Sequence, residues 1–100
     1  MKISSNGSSL RITDVPALNA SVAPGLRDEA RANLKTEHTA LELEMSTTRF
    51  LDSSGLGALI ALQKTMAQRG GALKIVNPSA TVQQVLELTR LHRVLEIVRE

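Results

Sequence analysis

The alternation of apolar and polar residues along the chain predicts four strands and a short fifth one. In four segments an apolar side chain recurs at every second position, which is the period of a strand with one buried face. These segments are residues 8–14, 39–45, 73–76 and 94–98. The dipeptide Asn6-Gly7 before the first of them is a common hairpin turn, so residues 1–5 are expected to fold back on that strand.

Three other segments have apolar residues spaced by three or four positions, which is typical of a helix with one buried face. They are residues 22–34, 54–69 and 78–91. We expect Ser21 and Asn77 to be the N-caps of the first and third helices, with Pro78 at the first helical position. Gly70-Gly71 predicts the end of the second helix, because glycine commonly follows a last helical turn.

The order of the predicted elements is β-β-α-β-α-β-α-β, and strands separated by helices indicate parallel crossover connections. A sheet covered on both faces usually has continuously apolar strands. Here charged residues interrupt the strands at Arg11, Glu42, Glu44, Lys74 and Glu96. We therefore predict a single α/β domain over residues 1–100, with a mixed β-sheet, helices packed mainly on one face, and a charged, solvated opposite face.

The composition argues against several classes of function. Phe50 is the only aromatic residue, which nearly excludes base stacking. The basic residues are dispersed and the net charge is only +2, which argues against a nucleic-acid surface. The absence of cysteine and the presence of only two histidines exclude disulfides and zinc sites built on those residues. No segment is apolar enough for a membrane span or a signal peptide, so we expect a cytoplasmic protein. We also expect it to hold neither metal nor cofactor.

Four residues with chemically distinctive side chains have ordinary structural explanations. His38 lies in a polar segment before a strand and is expected to be solvated, because no second metal ligand accompanies it. His92 is expected to cap the third helix or to lie on the surface. Met45 and Met66 fall on apolar stripes and are expected in the core.

Residues 49–57, Arg-Phe-Leu-Asp-Ser-Ser-Gly-Leu-Gly, join a predicted strand to the second helix. Such a turn presents backbone N–H groups and the positive end of the helix dipole at an exposed edge. One interpretation is a helix cap, for which Asp-Ser-Ser is well suited, and another is a surface that a partner approaches closely at Gly55 and Gly57. A phosphate-binding loop or a nucleophilic serine would need a neighbouring lysine or histidine, which the segment lacks, so we predict no catalytic residue.

The stretch Phe50-Leu51-Asp52-Ser53-Ser54-Gly55-Leu56-Gly57-Ala58-Leu59 resembles the signature of STAS domains, in particular the bacterial anti-sigma-factor antagonists. A strand precedes this motif, and Gly70-Gly71 and a strand follow its helix. Asn77-Pro78-Ser79 then opens the next helix. The resemblance extends from about residue 10 to residue 98.

The resemblance implies a function in binding. Antagonists of this family bind an anti-sigma factor, which is a serine kinase, and thereby free the sigma factor. The kinase phosphorylates the serine before the first motif glycine, which ends binding, and a metal-dependent serine phosphatase restores the protein. By position this serine is Ser54, with Ser53 beside it. The implied partner-binding residues are Asn19, Asp52, Ser53, Ser54, Gly55, Leu56 and Gly57.

Two departures from the family pattern bear on the partner. Asn19 stands where many antagonists have aspartate, and the chain ends at Glu100 where many have a final helix, so some apolar surface is expected to be bare or covered by a partner. An alternative function is the STAS subunit of a lipid-transport ABC system, which binds the ATPase subunit. Such subunits often have threonine in place of Ser54, so Asp-Ser-Ser-Gly favours the antagonist.

Overall fold

The computed structural model describes residues 1–100, and its main sheet contains five strands. The strands and helices in chain order are β1 (Lys2–Asn6), β2 (Ser9–Thr13), β3 (Ala17–Leu18), α1 (Ala23–Asn33), β4 (Ala40–Glu44), β5 (Phe50–Leu51), α2 (Ser53–Gln68), β6 (Ala72–Val76), α3 (Ala80–Leu88) and β7 (Glu96–Val98). A single 3₁₀ turn, Leu91–Arg93, lies between α3 and β7.

The main sheet is mixed and has the strand order β1-β2-β4-β6-β7. β1 and β2 form an antiparallel hairpin, and the remaining neighbours are parallel, as crossover helices require. Asn6 pairs with Ser9, so the two turn residues are Gly7 and Ser8, one position later than the expected Asn6-Gly7. Gly7 has a φ of +61°, which glycine adopts without steric cost.

Rows of aliphatic side chains cross the sheet in register and form its buried face. Leu10, Leu41 and Leu73 are aligned in one row, and Ile12, Leu43, Ile75 and Ile97 in the next. The helices cover this face, and Leu59, Leu62 and Met66 of α2 are fully buried in the same cluster. Met45 and Met66 belong to it as expected.

The opposite face carries the charged residues, which confirms the predicted architecture. Arg11, Glu42, Lys74 and Glu96 lie side by side on four adjacent strands with alternating sign. Arg11 Nε donates to Glu42 Oε1 at 2.9 Å, and Lys74 Nζ lies 3.6 Å from Glu96 Oε2. Opposite charges on neighbouring strands stabilise the pairing, while like charges would oppose it.

The N-caps of α1 and α3 differ from the expected ones. α1 begins at Ala23, and its N-cap position is Val22, which makes no side-chain capping bond. Ser21 caps nothing either, because Asn19 Oδ1 closes the turn before the helix by accepting from the N–H groups of Ser21 and Val22. α3 begins after Ser79, whose Oγ accepts from the N–H of Val82 at 3.2 Å. The predicted cap Asn77 instead has a φ of +49° and donates its N–H to the last strand.

The end of α3 also differs from its predicted position near residue 91. The helix stops at Leu88, because Arg90 takes a left-handed conformation with a φ of +61° and starts the 3₁₀ turn. β7 accordingly begins at Glu96 and not at residue 94. His92 Nδ1 donates to the carbonyl of Leu86 at 3.3 Å, which confirms its position as a helix cap.

The expectation that His38 is solvated is wrong, since only 2% of it is exposed. The backbone N–H of Lys35 donates to its Nδ1 at 2.9 Å, and Nε2 lies 2.7 Å from Ser5 Oγ. The Lys35 bond fixes Nδ1 as the acceptor, so Nε2 is the ring nitrogen that donates to Ser5. The imidazole therefore joins the loop after α1 to the edge strand β1.

We expect the side-chain carboxyl of Glu100 to titrate below the ordinary range of a glutamate. Arg11 donates two hydrogen bonds to it, at 2.5 and 3.1 Å, and these bonds lower its pKa. Because the folded-state pKa is lowered, any stability from this pair is present above the ordinary glutamate pKa and is lost as the pH falls through the lowered value. Carbon-13 NMR of the Glu100 carboxyl measures the midpoint.

The substitution Arg11→Gln should return this midpoint to the ordinary glutamate range. Lys74→Gln is the matched control, because it removes a positive charge from the same face. Lys74 pairs with Glu96 and not with Glu100. A Glu100 midpoint that is the same in wild type and Arg11→Gln would show that the ion pair does not form.

Candidate functional site

The segment that contains the predicted site begins in a short parallel sheet. β3 pairs with β5 through Ala17↔Phe50 and Leu18↔Leu51. The backbone N–H of Asp52 extends this pairing by donating to the carbonyl of Leu18 at 3.3 Å. Neither strand is predicted from the sequence, because two residues are too few to show an alternating pattern. This small sheet places the motif beside the loop that enters α1.

A buried threonine, which the sequence pattern also does not predict, fixes the loop before the motif. Thr48 is fully buried, and its Oγ1 donates to the carbonyl of Val15 at 2.5 Å. Its own carbonyl accepts from Ser79 Oγ at 2.6 Å. Thr48 thus connects the end of β2 to the start of α3. It stands in the polar run Ser46-Thr47-Thr48, where no pattern distinguishes it from a surface residue.

Asp52 is the N-cap of α2, so the helix begins at Ser53 and not at the predicted residue 54. Asp52 Oδ1 accepts from the backbone N–H of Gly55 at 3.0 Å. Its backbone carbonyl accepts from Leu56 at 2.9 Å. A carboxylate at this position also interacts favourably with the positive end of the helix dipole. The motif aspartate therefore has a structural role in starting the helix.

Ser53 and Ser54 occupy the first turn of α2, and both are exposed. The capping bond comes from Asp52, and neither serine hydroxyl is hydrogen-bonded to another group of the protein. Ser54 borders a shallow depression of about 280 Å³ between the starts of α1 and α2. The residues that line it are Ala20, Ala23, Pro24, Arg27, Ser54 and Gly57.

The two motif glycines have different environments. A Cβ on Gly55 would lie 2.3 Å from the carbonyl oxygen of Leu18 and 2.7 Å from Leu51 Cδ1, so α2 starts in direct contact with the β3–β5 sheet. Gly57 is exposed, and a Cβ there would meet nothing within 4 Å. The close approach at Gly55 is thus made by this chain itself, and only Gly57 offers an open backbone to another molecule.

Asn19 lies at the entrance to α1, on the same side of the molecule as the motif. Its Oδ1 accepts from the backbone N–H groups of Ser21 and Val22 at 3.1 and 3.2 Å. An aspartate oxygen could accept the same two bonds. Asparagine can therefore make the local bonds that the expected aspartate would make, without adding a negative charge.

The structure brings most of the predicted partner-binding residues to one region. Ser53, Ser54 and Gly57 are exposed there, and Asn19, Asp52 and Leu56 are half-buried, while Gly55 is buried. We call the first six of these residues the motif surface. Phe50 lies just before the motif surface in the chain, and 53% of its surface is exposed. The sequence pattern does not distinguish this exposed aromatic residue from a core residue.

Neither histidine is hydrogen-bonded to Ser54. No group of three or more histidine, aspartate or glutamate side chains is placed to hold a metal ion. His38 is hydrogen-bonded to Ser5 and Lys35, and His92 to Leu86. None of the helices has the length and apolar character needed to cross a membrane.

A family model described as "Mlab, STAS domain" matches residues 1–99. The chain belongs to the STAS domain family. This membership confirms the resemblance of the motif around Asp52 to the STAS signature.

Several STAS relatives carry names that describe sigma-factor regulation. The chain is 31% identical to an anti-sigma F factor antagonist of Paenibacillus polymyxa over 70 residues, which is 70% of this chain and 58% of that protein. It is 31% identical to a putative anti-sigma factor antagonist of Thermotoga maritima over 64 residues, covering 64% and 57% of the two chains. The anti-sigma-B factor antagonist of Bacillus subtilis is 23% identical, with 95% and 86% covered. The matched part thus spans less than two thirds of the first two relatives.

Solved structures confirm the fold. A putative anti-sigma factor antagonist from Thermotoga maritima has a TM-score of 0.89 at 22% identity, covering 99% of this chain and 85% of that chain. The antagonist SpoIIAA in its unphosphorylated form has a TM-score of 0.82 at 18% identity, with 99% and 86% covered. Its phosphorylated form, the Bacillus cell fate determinant, has a TM-score of 0.77 at 17% identity, with 99% and 89% covered.

We expect Gly55→Ala to destabilise the protein and Gly57→Ala to be harmless. The new methyl group at residue 55 would overlap a backbone carbonyl, which cannot move as a flexible side chain can, so a loss of about 1–3 kcal/mol in the free energy of unfolding is expected. At residue 57 the methyl group meets nothing, and alanine favours an exposed helical position by up to about 1 kcal/mol.

Urea unfolding followed by circular dichroism measures both variants. The two substitutions add the same methyl group two residues apart in one helix, so each controls for the other. Equal unfolding midpoints for the two variants would contradict the packing of α2 against Leu18.

Proposed function

We propose that the protein is an anti-sigma-factor antagonist that acts in the cytoplasm. In this proposal it binds a serine-kinase anti-sigma factor through the motif surface, and phosphorylation of Ser54 ends the binding. The observation that supports it most is the environment of Ser54, which lies exposed in the first turn of α2 with a hydroxyl that the fold does not use. The names of the relatives support the same class of partner.

The local structure supports Ser54 as a residue that another protein modifies. A kinase must reach the hydroxyl and the backbone around it, and the exposed Gly57 one turn later leaves that approach open. Asp52 and Gly55 hold the helix start in place, so the serine is presented from a rigid element. In this proposal the ATP and the catalytic groups belong to the kinase, and a separate metal-dependent phosphatase removes the phosphate.

Electrostatics allow phosphorylation without unfolding. A phosphoserine carries about −1.5 to −2 charges at neutral pH, and the start of a helix is a favourable place for negative charge. Both the phosphorylated and the unphosphorylated form of SpoIIAA have the fold of this chain. We therefore expect the domain to remain folded when Ser54 is modified.

The same charge has the opposite effect at an interface. A bound partner would exclude water from the motif surface, so the phosphate would lose hydration and face whatever the partner presents there. An apolar contact or an acidic group of the partner would then oppose binding. A phosphate that leaves the domain folded but weakens the binding of the partner gives a reversible binding switch.

We expect the affinity for the cognate anti-sigma factor to depend on the charge at residue 54. Ser54→Ala removes the hydroxyl without adding charge and should bind as wild type does. Ser54→Asp adds one negative charge and should bind about tenfold more weakly or worse, which corresponds to about 1.4 kcal/mol. The authentic phosphoprotein should bind more weakly still. Isothermal titration calorimetry measures all four proteins.

Ser53→Asp is the matched control, because it places the same charge in the same helical turn. A greater loss of affinity in Ser53→Asp than in Ser54→Asp would move the switch to Ser53. Equal affinities of wild type, Ser54→Asp and the phosphoprotein would exclude the switch. A pull-down from the protein's own cells that recovers the ATPase subunit of a lipid-transport ABC system, and no kinase-like protein, would favour that alternative partner.

A further inference from the structure

Arg27 is the one charged residue that lines the depression beside Ser54. It lies in the second turn of α1 and is half-buried. The protein contains four ion pairs, and Arg27 takes part in none of them. Its guanidinium group also donates no hydrogen bond within the protein. By contrast, Arg31, one turn later on the same helix, donates to Thr65 of α2 at 3.5 Å.

The rest of the depression consists of small or compact residues. Ala20, Ala23 and Gly57 leave space between the two helices, and Pro24 has no N–H to offer. Among the side chains that line the depression, the guanidinium of Arg27 is therefore the only charged hydrogen-bond donor. Ser54 is the only hydroxyl residue on its border.

We infer that Arg27 receives the phosphate of phosphorylated Ser54 and holds it in the depression between α1 and α2. This inference rests on the proposed function only in taking Ser54 as the modified residue. A guanidinium group presents parallel N–H donors that match two phosphate oxygens, and such charge-assisted bonds are short and strong. Because Arg27 has no partner in the unmodified protein, it can take the phosphate without breaking an existing ion pair.

The pairing gives the phosphorylated protein a defined surface. The phosphate would occupy part of the depression and lie against α1, and the charge of Arg27 would be balanced at the same time. A partner that contacts the motif surface would then meet an altered shape as well as an altered charge. Arg27 is in this sense a positioning residue for the phosphate, and it has no role in the transfer reaction.

Phosphorus-31 NMR of a protein with phosphoserine at residue 54 tests the inference. The phosphoserine is installed during translation by stop-codon suppression, so no kinase is needed. The second ionisation of the phosphate should occur at a pH about one unit lower with Arg27 present than in Arg27→Gln, because a nearby cation favours the dianion. The acids Asp28 and Asp52 are common to both proteins and do not affect the comparison.

Arg31→Gln is the matched control, since it removes one positive charge from the same helix outside the depression. In this control the second ionisation of the phosphate should occur at the same pH as in the protein with both arginines. In Arg27→Lys it should occur between that pH and the pH found for Arg27→Gln. Identical midpoints with Arg27 and with Gln at this position would overturn the inference, as would an equal effect of Arg31→Gln. The result is independent of the calorimetric test, which addresses whether a partner responds to Ser54 at all.

Discussion

The contact between Gly55 and the backbone carbonyl of Leu18 determines where the motif lies. Only a residue without a side chain allows α2 to begin directly on the β3–β5 sheet, because a Cβ would lie 2.3 Å from that oxygen. Asp52 caps the helix on the same turn, at 3.0 Å from the N–H of Gly55. These two residues fix the start of the helix and leave Ser54 exposed beside α1.

The motif therefore combines residues with two kinds of task. Asp52 and Gly55 serve the fold, while Ser54 and Gly57 have no internal contacts that explain their identity. In a binding switch this separation is useful, because the modified group can change without loosening the elements that hold it. The helix start favours negative charge, and the free guanidinium of Arg27 borders the same depression.

The periodic elements and the fold class could be predicted from the sequence, because β2, β4, β6 and the three helices each bury one regular face. Helix caps, two-residue strands and single buried polar residues could not be predicted, because they depend on contacts between a few atoms. Ser79 and not Asn77 caps α3, and Asn19 and not Ser21 closes the turn before α1, since several adjacent polar residues can accept the same N–H groups. Other features depend on contacts between distant segments, which no local sequence pattern indicates. They are the strands β3 and β5 and the buried side chains of Thr48 and His38.

A displacement experiment addresses the proposed antagonist function itself. A fluorescently labelled sigma factor is held by the anti-sigma factor from the same cells, and its release is followed by fluorescence anisotropy as this protein is added. We expect the unmodified protein to release the sigma factor and the protein phosphorylated on Ser54 to leave it bound, with the same circular dichroism spectrum for both forms. Release by both forms, or by neither, would contradict the proposal that Ser54 switches this domain between binding and non-binding states.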